Sequence, residues 1–175
     1  MSRFVCEALG KHSRADFASG NDRIDAYFRN VASQDVKRKY AACYVLVERA
    51  SGTIAGFYTL SSSNIPLADI PPELARKLPR YPTVPTVLIG WMGRDLVFRG
   101  QNIGAMLLYD AIARVSSSPV GAYAICADAI DDEAVVVYQK YLFTGFLGKP
   151  HSLFLPVATA LAVVMDQPSK AHPQP

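Results

Sequence analysis

The chain has 175 residues, half of them apolar, which is enough for one domain with a full core and short for two. Its net charge of +3 neither demands nor rules out nucleic acid, while Cys6, Cys43 and Cys126 are too scattered for a disulfide framework or a zinc site, so no metal is expected. The start, MSRFVCEALGKHSR, lacks the apolar run of a secretory signal and no stretch approaches the ~20 apolar residues of a membrane span, so a cytoplasmic protein without a membrane partner is expected.

In chain order, Phe4 to Leu9 reads as a first edge strand. Asn21 is placed to cap a helix, Asp22 adds favourable charge to its first turn, and Ile24, Tyr27, Phe28 and Val31 repeat at helical spacing. One or two short helices follow, carrying Arg23 and Arg29 and ending in Lys37, Arg38 and Lys39. Such a basic end can meet phosphates, although the helix dipole alone also favours it. Ala41 to Val47 and Ile54 to Leu60 are β-rich runs around the turn signal Ser51-Gly52, predicting an antiparallel hairpin. Ser61 to Pro85 is proline-rich and predicts a long substrate-facing loop with one short helix from Pro71-Pro72-Glu73 through Leu78; it carries Arg76, Lys77 and Arg80.

Val87 to Met92 is a continuous apolar run, as in a strand buried on both faces. After it, Arg99 to Gly104 leads into a helix whose Gly104, Leu107, Leu108, Ala111 and Val115 share one face. A buried strand that turns through glycine into a helix leaves backbone N–H groups unpaired at the positive end of the dipole, a place suited to phosphate. Glycines at such a turn also serve tight packing alone. Gly121 to Ala127 predicts another strand, and Asp131, Asp132 and Glu133 start a helix predicted to run to Phe143. Gly145 and Gly148 break the chain before a last strand, Ser152 to Val157. Residues 1–157 therefore read as one domain and 158–175 as a tail, its DQPSKAHPQP end disordered.

The spacing Arg99-x-x-Asn102-x-Gly104-Ala105 resembles the Q/R-x-x-G-x-G/A pyrophosphate loop of the GNAT superfamily of acetyl-CoA-dependent N-acetyltransferases, with Asn102 where glycine is usual. The element order is also theirs. The resemblance implies an α/β fold with a mixed, mostly antiparallel central sheet and helices on both faces. It assigns acetyl-CoA to Met92, Gly93, Arg94, Arg99, Gly100, Gln101, Asn102, Ile103, Gly104 and Ala105.

Four blocks, FASGNDRIDAYF, GFYTLSSSNI, LPRYPTVPTVLIGWMGRD and VYQKYLFTGF, are similar to the acetyltransferase toxins of bacterial toxin–antitoxin pairs. In those proteins the last block commonly reads F-Y-x-x-x-G-F, so Tyr138 matches the tyrosine and Leu142 replaces the glycine. The resemblance implies acetylation of the α-amino group of aminoacyl-tRNA, which blocks translation. It implies Tyr138 as the catalytic residue serving the leaving thiolate, a ribbon-helix-helix antitoxin as partner, and a homodimer. Arg23, Arg29, Lys37, Arg38, Lys39, Arg76, Lys77 and Arg80 are then candidate tRNA contacts. An α-amino group with a pKa near ~8 needs no strong base, which fits the scarcity of candidate bases. Two other readings stay open: a GNAT enzyme for a small amine, peptide or protein lysine, and a non-catalytic acyl-CoA-binding or interaction module.

Overall fold

The structure is a computed structural model that describes residues 2–165, with side chains described through residue 162. Among the described residues, fifteen elements include the strands β1 (Phe4–Ala8), β2 (Ala42–Glu48), β3 (Ile54–Pro66), β4 (Thr83–Arg94), β5 (Ala124–Asp128), β6 (Thr144–Phe146) and β7 (Lys149–Pro156). The helices are α1 (Asp22–Asn30), α2 (Ala32–Lys37), α3 (Pro72–Ala75), α4 (Ile103–Ser116), α5 (Asp132–Lys140) and α6 (Val157–Met165). The strands form one sheet in the order β1-β2-β3-β4-β5-β7-β6. β4 and β5 pair parallel; β1 with β2, β2 with β3, β5 with β7 and β6 with β7 pair antiparallel. The α/β expectation of a mixed, mostly antiparallel sheet therefore holds.

The described chain divides into two compact units, residues 2–61 with 90–111 and residues 62–89 with 112–165. In the first, β3 separates two helical layers because successive side chains point to opposite faces. Phe57 stacks on Phe28 of α1 at 3.9 Å between ring centroids. The neighbouring position, Gly56, faces Ile103 and Leu107 of α4. On α4 the buried face is Ile103, Leu107, Leu108, Ala111, Ile112 and Val115. The expected face is thus correct except at Gly104, which is exposed; the stripe begins one residue earlier. Asn21 caps α1 as predicted, its side chain accepting from the N–H groups of Arg23 and Ile24.

The second unit has its own core, with Ile65, Ile70, Val84, Cys126 and Phe154 at its centre. Several boundaries differ from the sequence reading. β3 continues through Pro66 and β4 starts at Thr83, so the long loop shrinks to the segment between them, with α3 one turn long and further turn bonds reaching Leu78. Within Val87 to Met92 only Ile89 is buried, because Leu88 and Trp91 lie half-covered at the margins of different cores. A three-residue β6 forms where a break was expected, since Gly148 (φ 70) turns the chain back so that Thr144 and Gly145 pair with Phe154 and Leu153. Residues 158–165 of the expected tail belong to α6, which starts at Val157; the DQPSKAHPQP end lies outside the described residues.

α5 ends at Lys140, not Phe143. The Phe143 N–H donates to the Tyr138 carbonyl at 3.2 Å and the Leu142 N–H to Gln139 at 3.0 Å, the double bond of a helix stop whose left-handed residue is Leu142 (φ 68). Glycine is the usual occupant, since that conformation costs an L side chain roughly 1–2 kcal/mol. Leu142 is also exposed, so its side chain recovers little by packing. Leu142→Gly is expected to stabilise the protein by about 1 kcal/mol, read as a higher midpoint in urea.

Cys43 and Cys126 are buried, Cys6 is partly exposed, and none forms a disulfide. Burial pushes the Cys43 thiol up to about 12 and the Cys126 thiol up to about 11. Among the described residues no group of side chains could hold a metal ion, and no helix is long and apolar enough to cross a membrane.

Candidate active site

In the first unit, β4 ends at Arg94 and the chain enters a 3-10 turn, Leu96–Phe98, before α4. Asp95 holds this junction and is only 5% exposed. One carboxylate oxygen accepts from the Val97 N–H at 2.9 Å and the other from the Ala18 N–H at 3.0 Å. Its own N–H donates to Ala55 on β3 at 2.8 Å, and the Leu96 N–H donates to Ala18 at 2.9 Å. The turn before the loop is thereby tied both to β3 and to the segment entering α1.

The loop itself runs Arg99, Gly100 (φ 80), Gln101, Asn102 (φ 57) to Ile103. Two left-handed residues in three turn the chain sharply; glycine takes that conformation freely and asparagine is among the few others that tolerate it. Asn102 can therefore stand where the pyrophosphate-loop pattern has glycine. Buried Ile103 anchors the first turn of α4, while exposed Gly104 and Gly100 have no heavy atom within 4 Å of where a Cβ would stand. Open space beside the N–H groups of a helix start, with Arg99 exposed next to it, is a cradle that fits a pyrophosphate. A side-chain oxygen of Gln101, by contrast, is buried and has no hydrogen-bond partner among the described residues.

Upstream of the loop, Gly93 is enclosed: a Cβ would stand 2.7 Å from Ile24 and 3.0 Å from Phe57. Gly56 is enclosed from the other face, its absent Cβ falling 2.8 Å from Leu107 and 2.9 Å from the Gly93 carbonyl oxygen. The Tyr58 hydroxyl of β3 donates to the Asp110 carboxylate of α4, a further tie between the sheet and that helix. Met92, Gly93, Arg94 and Arg99 to Ala105, the expected cofactor residues, are all in this unit.

Tyr138 belongs to the second unit. It sits in the last turn of α5 half-buried, its ring 5.2 Å from that of Phe143, and its hydroxyl has no hydrogen-bond partner among the described residues. Burial first, and then the Asp128 carboxylate, push its phenol up to about 12. The group stays protonated at neutral pH and can donate.

The basic candidates also divide. Arg23, Lys37, Arg38 and Lys39 of the first unit and Arg76, Lys77 and Arg80 of the second are exposed. Arg29 is exposed as well, and its guanidinium donates to the Phe17 carbonyl and lies 4.0 Å from the Asp25 carboxylate. Sequence reasoning missed Asp95, Asp25, Asp110 and Asp128. Asp25, 7% exposed on α1, accepts from the Ser19 N–H at 2.8 Å and hydroxyl at 2.6 Å, fixing the same entry segment that Asp95 holds. A usable signal existed at Asp95, an Asp two residues before the N–H it caps.

No protein-family model matches the chain. The probable toxin TacT of Sinorhizobium fredii is 31% identical over 158 residues, covering 85% of this chain and 87% of that protein. The tRNA-acetylating toxin of Mycobacterium tuberculosis is 31% identical over 152 residues, covering 86% and 89%. Among solved structures, AtaT complexed with acetyl-methionyl-tRNAfMet superposes with a TM-score of 0.85 at 23% identity, covering 92% of this chain and 98% of that one. A tyrosine-to-phenylalanine mutant of AtaT bound to the C-terminus of the antitoxin AtaR and acetyl-CoA gives 0.77 at 20% identity, covering 94% and 99%.

Proposed function

Because the chain belongs to the family of GNAT-type acetyltransferase toxins that includes the tRNA-acetylating toxin of Mycobacterium tuberculosis, we propose that it transfers acetyl from acetyl-CoA to the α-amino group of an aminoacyl-tRNA and so blocks translation. The observation that carries this reading is the open cradle at the start of α4, with left-handed Gly100 and Asn102 shaping it and Asp95 holding its approach. Arg99 and the backbone from Gly100 to Ala105 would hold the pyrophosphate. Acetyl-CoA supplies a thioester, an acyl group already activated for attack by an amine.

The residues then have separate tasks. Backbone N–H groups of Met92 to Arg94 orient toward the carbonyl oxygen that gathers negative charge. The Tyr138 hydroxyl donates toward the departing sulfur. With its phenol at about 12 against a thiol near ~8.5, complete proton transfer would be uphill by about 5 kcal/mol, so Tyr138 stabilises charge by hydrogen bonding and keeps its proton. The ammonium formed by the attacking amine supplies the proton that balances the reaction. Exposed Arg23, Lys37, Arg38, Lys39, Arg76, Lys77 and Arg80 give the tRNA backbone its contacts.

In the cell the partner is a small ribbon-helix-helix antitoxin, and the free chain is a homodimer. Ile130, Val136 and Val137, each at least half exposed around α5, offer the apolar area that association would cover.

The deciding experiment is transfer of radiolabelled acetyl to bulk charged tRNA. Label on the aminoacyl group supports the reading, and unlabelled charged tRNA beside tight acetyl-CoA binding refutes it. The pH profile is a further check. kcat/KM should rise through ~8 as the α-amino group loses its proton, then stay level to pH 9.5, because Tyr138 remains protonated to about 12. A descending limb near pH 9 in initial rates would contradict the role given to the phenol.

A further inference from the structure

Helices α2 and α5 end in the same doubly bonded stop. In α2 the Tyr40 N–H donates to the Asp35 carbonyl at 2.9 Å and the Lys39 N–H to Val36 at 3.2 Å, with Lys39 left-handed (φ 63). The residue after the left-handed position normally packs back on the helix. In α5 it does: Phe143 is 3% exposed and lies against Tyr138. In α2 it does not, for Tyr40 is 75% exposed.

Neither choice at the end of α2 helps the helix. The dipole accounts for cations at Lys37 and Arg38. It does not account for a lysine in a conformation that glycine adopts freely, nor for a bare aromatic ring beside it. Local rules broken without local gain mark the places where function is to be sought. The turn is also firmly based, since the Asp35 carboxylate accepts from the Tyr27 hydroxyl at 3.0 Å and buried Tyr27 stacks on Trp91 at 4.3 Å.

We propose that Tyr40 is a stacking platform for an unpaired RNA base, with Lys37, Arg38 and Lys39 on the flanking phosphates. This rests on the reading of charged tRNA as substrate and adds that a single-stranded stretch is gripped at the end of α2. Three consecutive exposed cations complement a phosphate backbone. A planar, uncovered ring offers a face that any base can cover, and only unpaired nucleotides present their bases that way.

The test compares binding of a labelled single-stranded RNA hexamer and a blunt RNA duplex with equal phosphate number to the full chain and its Tyr40→Phe, Tyr40→Leu and Lys39→Gly variants. Hexamer affinity should fall about tenfold in Tyr40→Leu, hold in Tyr40→Phe, and duplex affinity should change less than twofold. Lys39→Gly should weaken hexamer binding, lower its log–log salt slope by about 0.7 and raise the melting temperature. An unchanged Tyr40→Leu, or equal losses on hexamer and duplex, overturns the proposal. So does a Tyr40→Leu variant that loses only binding to a polyglutamate peptide, which would make this a protein-binding surface. Acetyl transfer measured alongside separates the two levels. Wild type that grips the hexamer through Tyr40 but labels no charged tRNA refutes the substrate reading and leaves the RNA site standing.

Discussion

Tyr138→Phe is expected to lower kcat for acetyl transfer by about 10²–10³-fold, the usual cost of removing one preorganised donor from a developing charge. KM for acetyl-CoA and for charged tRNA should stay within about twofold, because the hydroxyl is asked to act only as charge reaches the sulfur. The fold should not notice. Phenylalanine keeps the ring contact with Phe143, and the hydroxyl has no partner among the described residues to lose. Steady-state kinetics beside a melting curve check both halves. A variant that keeps its rate, or one that loses rate and stability together, would remove Tyr138 from the role assigned here.

Gly56→Ala should produce a large structural effect for the addition of one methyl group. Its Cβ would stand 2.8 Å from Leu107, 3.0 Å from Ile103 and 2.9 Å from the Gly93 carbonyl oxygen. The leucine can rotate; the backbone oxygen cannot, so β3 or β4 must move. Overpacking of this kind costs about 3 kcal/mol, or roughly 6–12 °C in Tm for a chain of this size. The strain lands on Gly93 and on the first turns of α4, so KM for acetyl-CoA should rise as well.

Gly104→Ala provides the contrast. Its Cβ would meet nothing within 4 Å in the chain itself, so the melting temperature should hold or rise slightly, while isothermal titration should show weaker acetyl-CoA binding. Equal affinity in wild type and Gly104→Ala would place the pyrophosphate elsewhere.

Local patterns carried much of this architecture into the sequence. Asn21 with Asp22, the Ser51-Gly52 turn and the acids before α5 are signals whose cause and effect lie within a few residues. The F-Y-x-x-x-G-F block also has a local cause. Here Tyr138 lends the carbonyl, Leu142 takes the left-handed position that glycine favours, and Phe143 packs back on Tyr138.

What stayed hidden acts at a distance or against propensity. Asp95 reaches back 77 residues to Ala18, and Tyr58 reaches 52 residues to Asp110, pairings that no periodicity announces. β6 is three residues long and contains a glycine, so only its partner β7 makes it a strand. Arg29 stays exposed, yet its guanidinium is tied to the Phe17 carbonyl 12 residues back, a bond that no spacing announces.

The placement of the cysteines has a practical consequence. Cys43 belongs to the first unit and Cys126 to the second, both buried and both with thiols held far above neutral pH. Alkylating reagents act on exposed thiolate, so neither can be modified until its own surroundings open. Once partly exposed Cys6 is replaced by serine, the native protein carries two internal clocks, one per unit. Mass-resolved labelling over time would then report whether the half that holds Arg99 to Ala105 and the half that holds Tyr138 breathe together or apart.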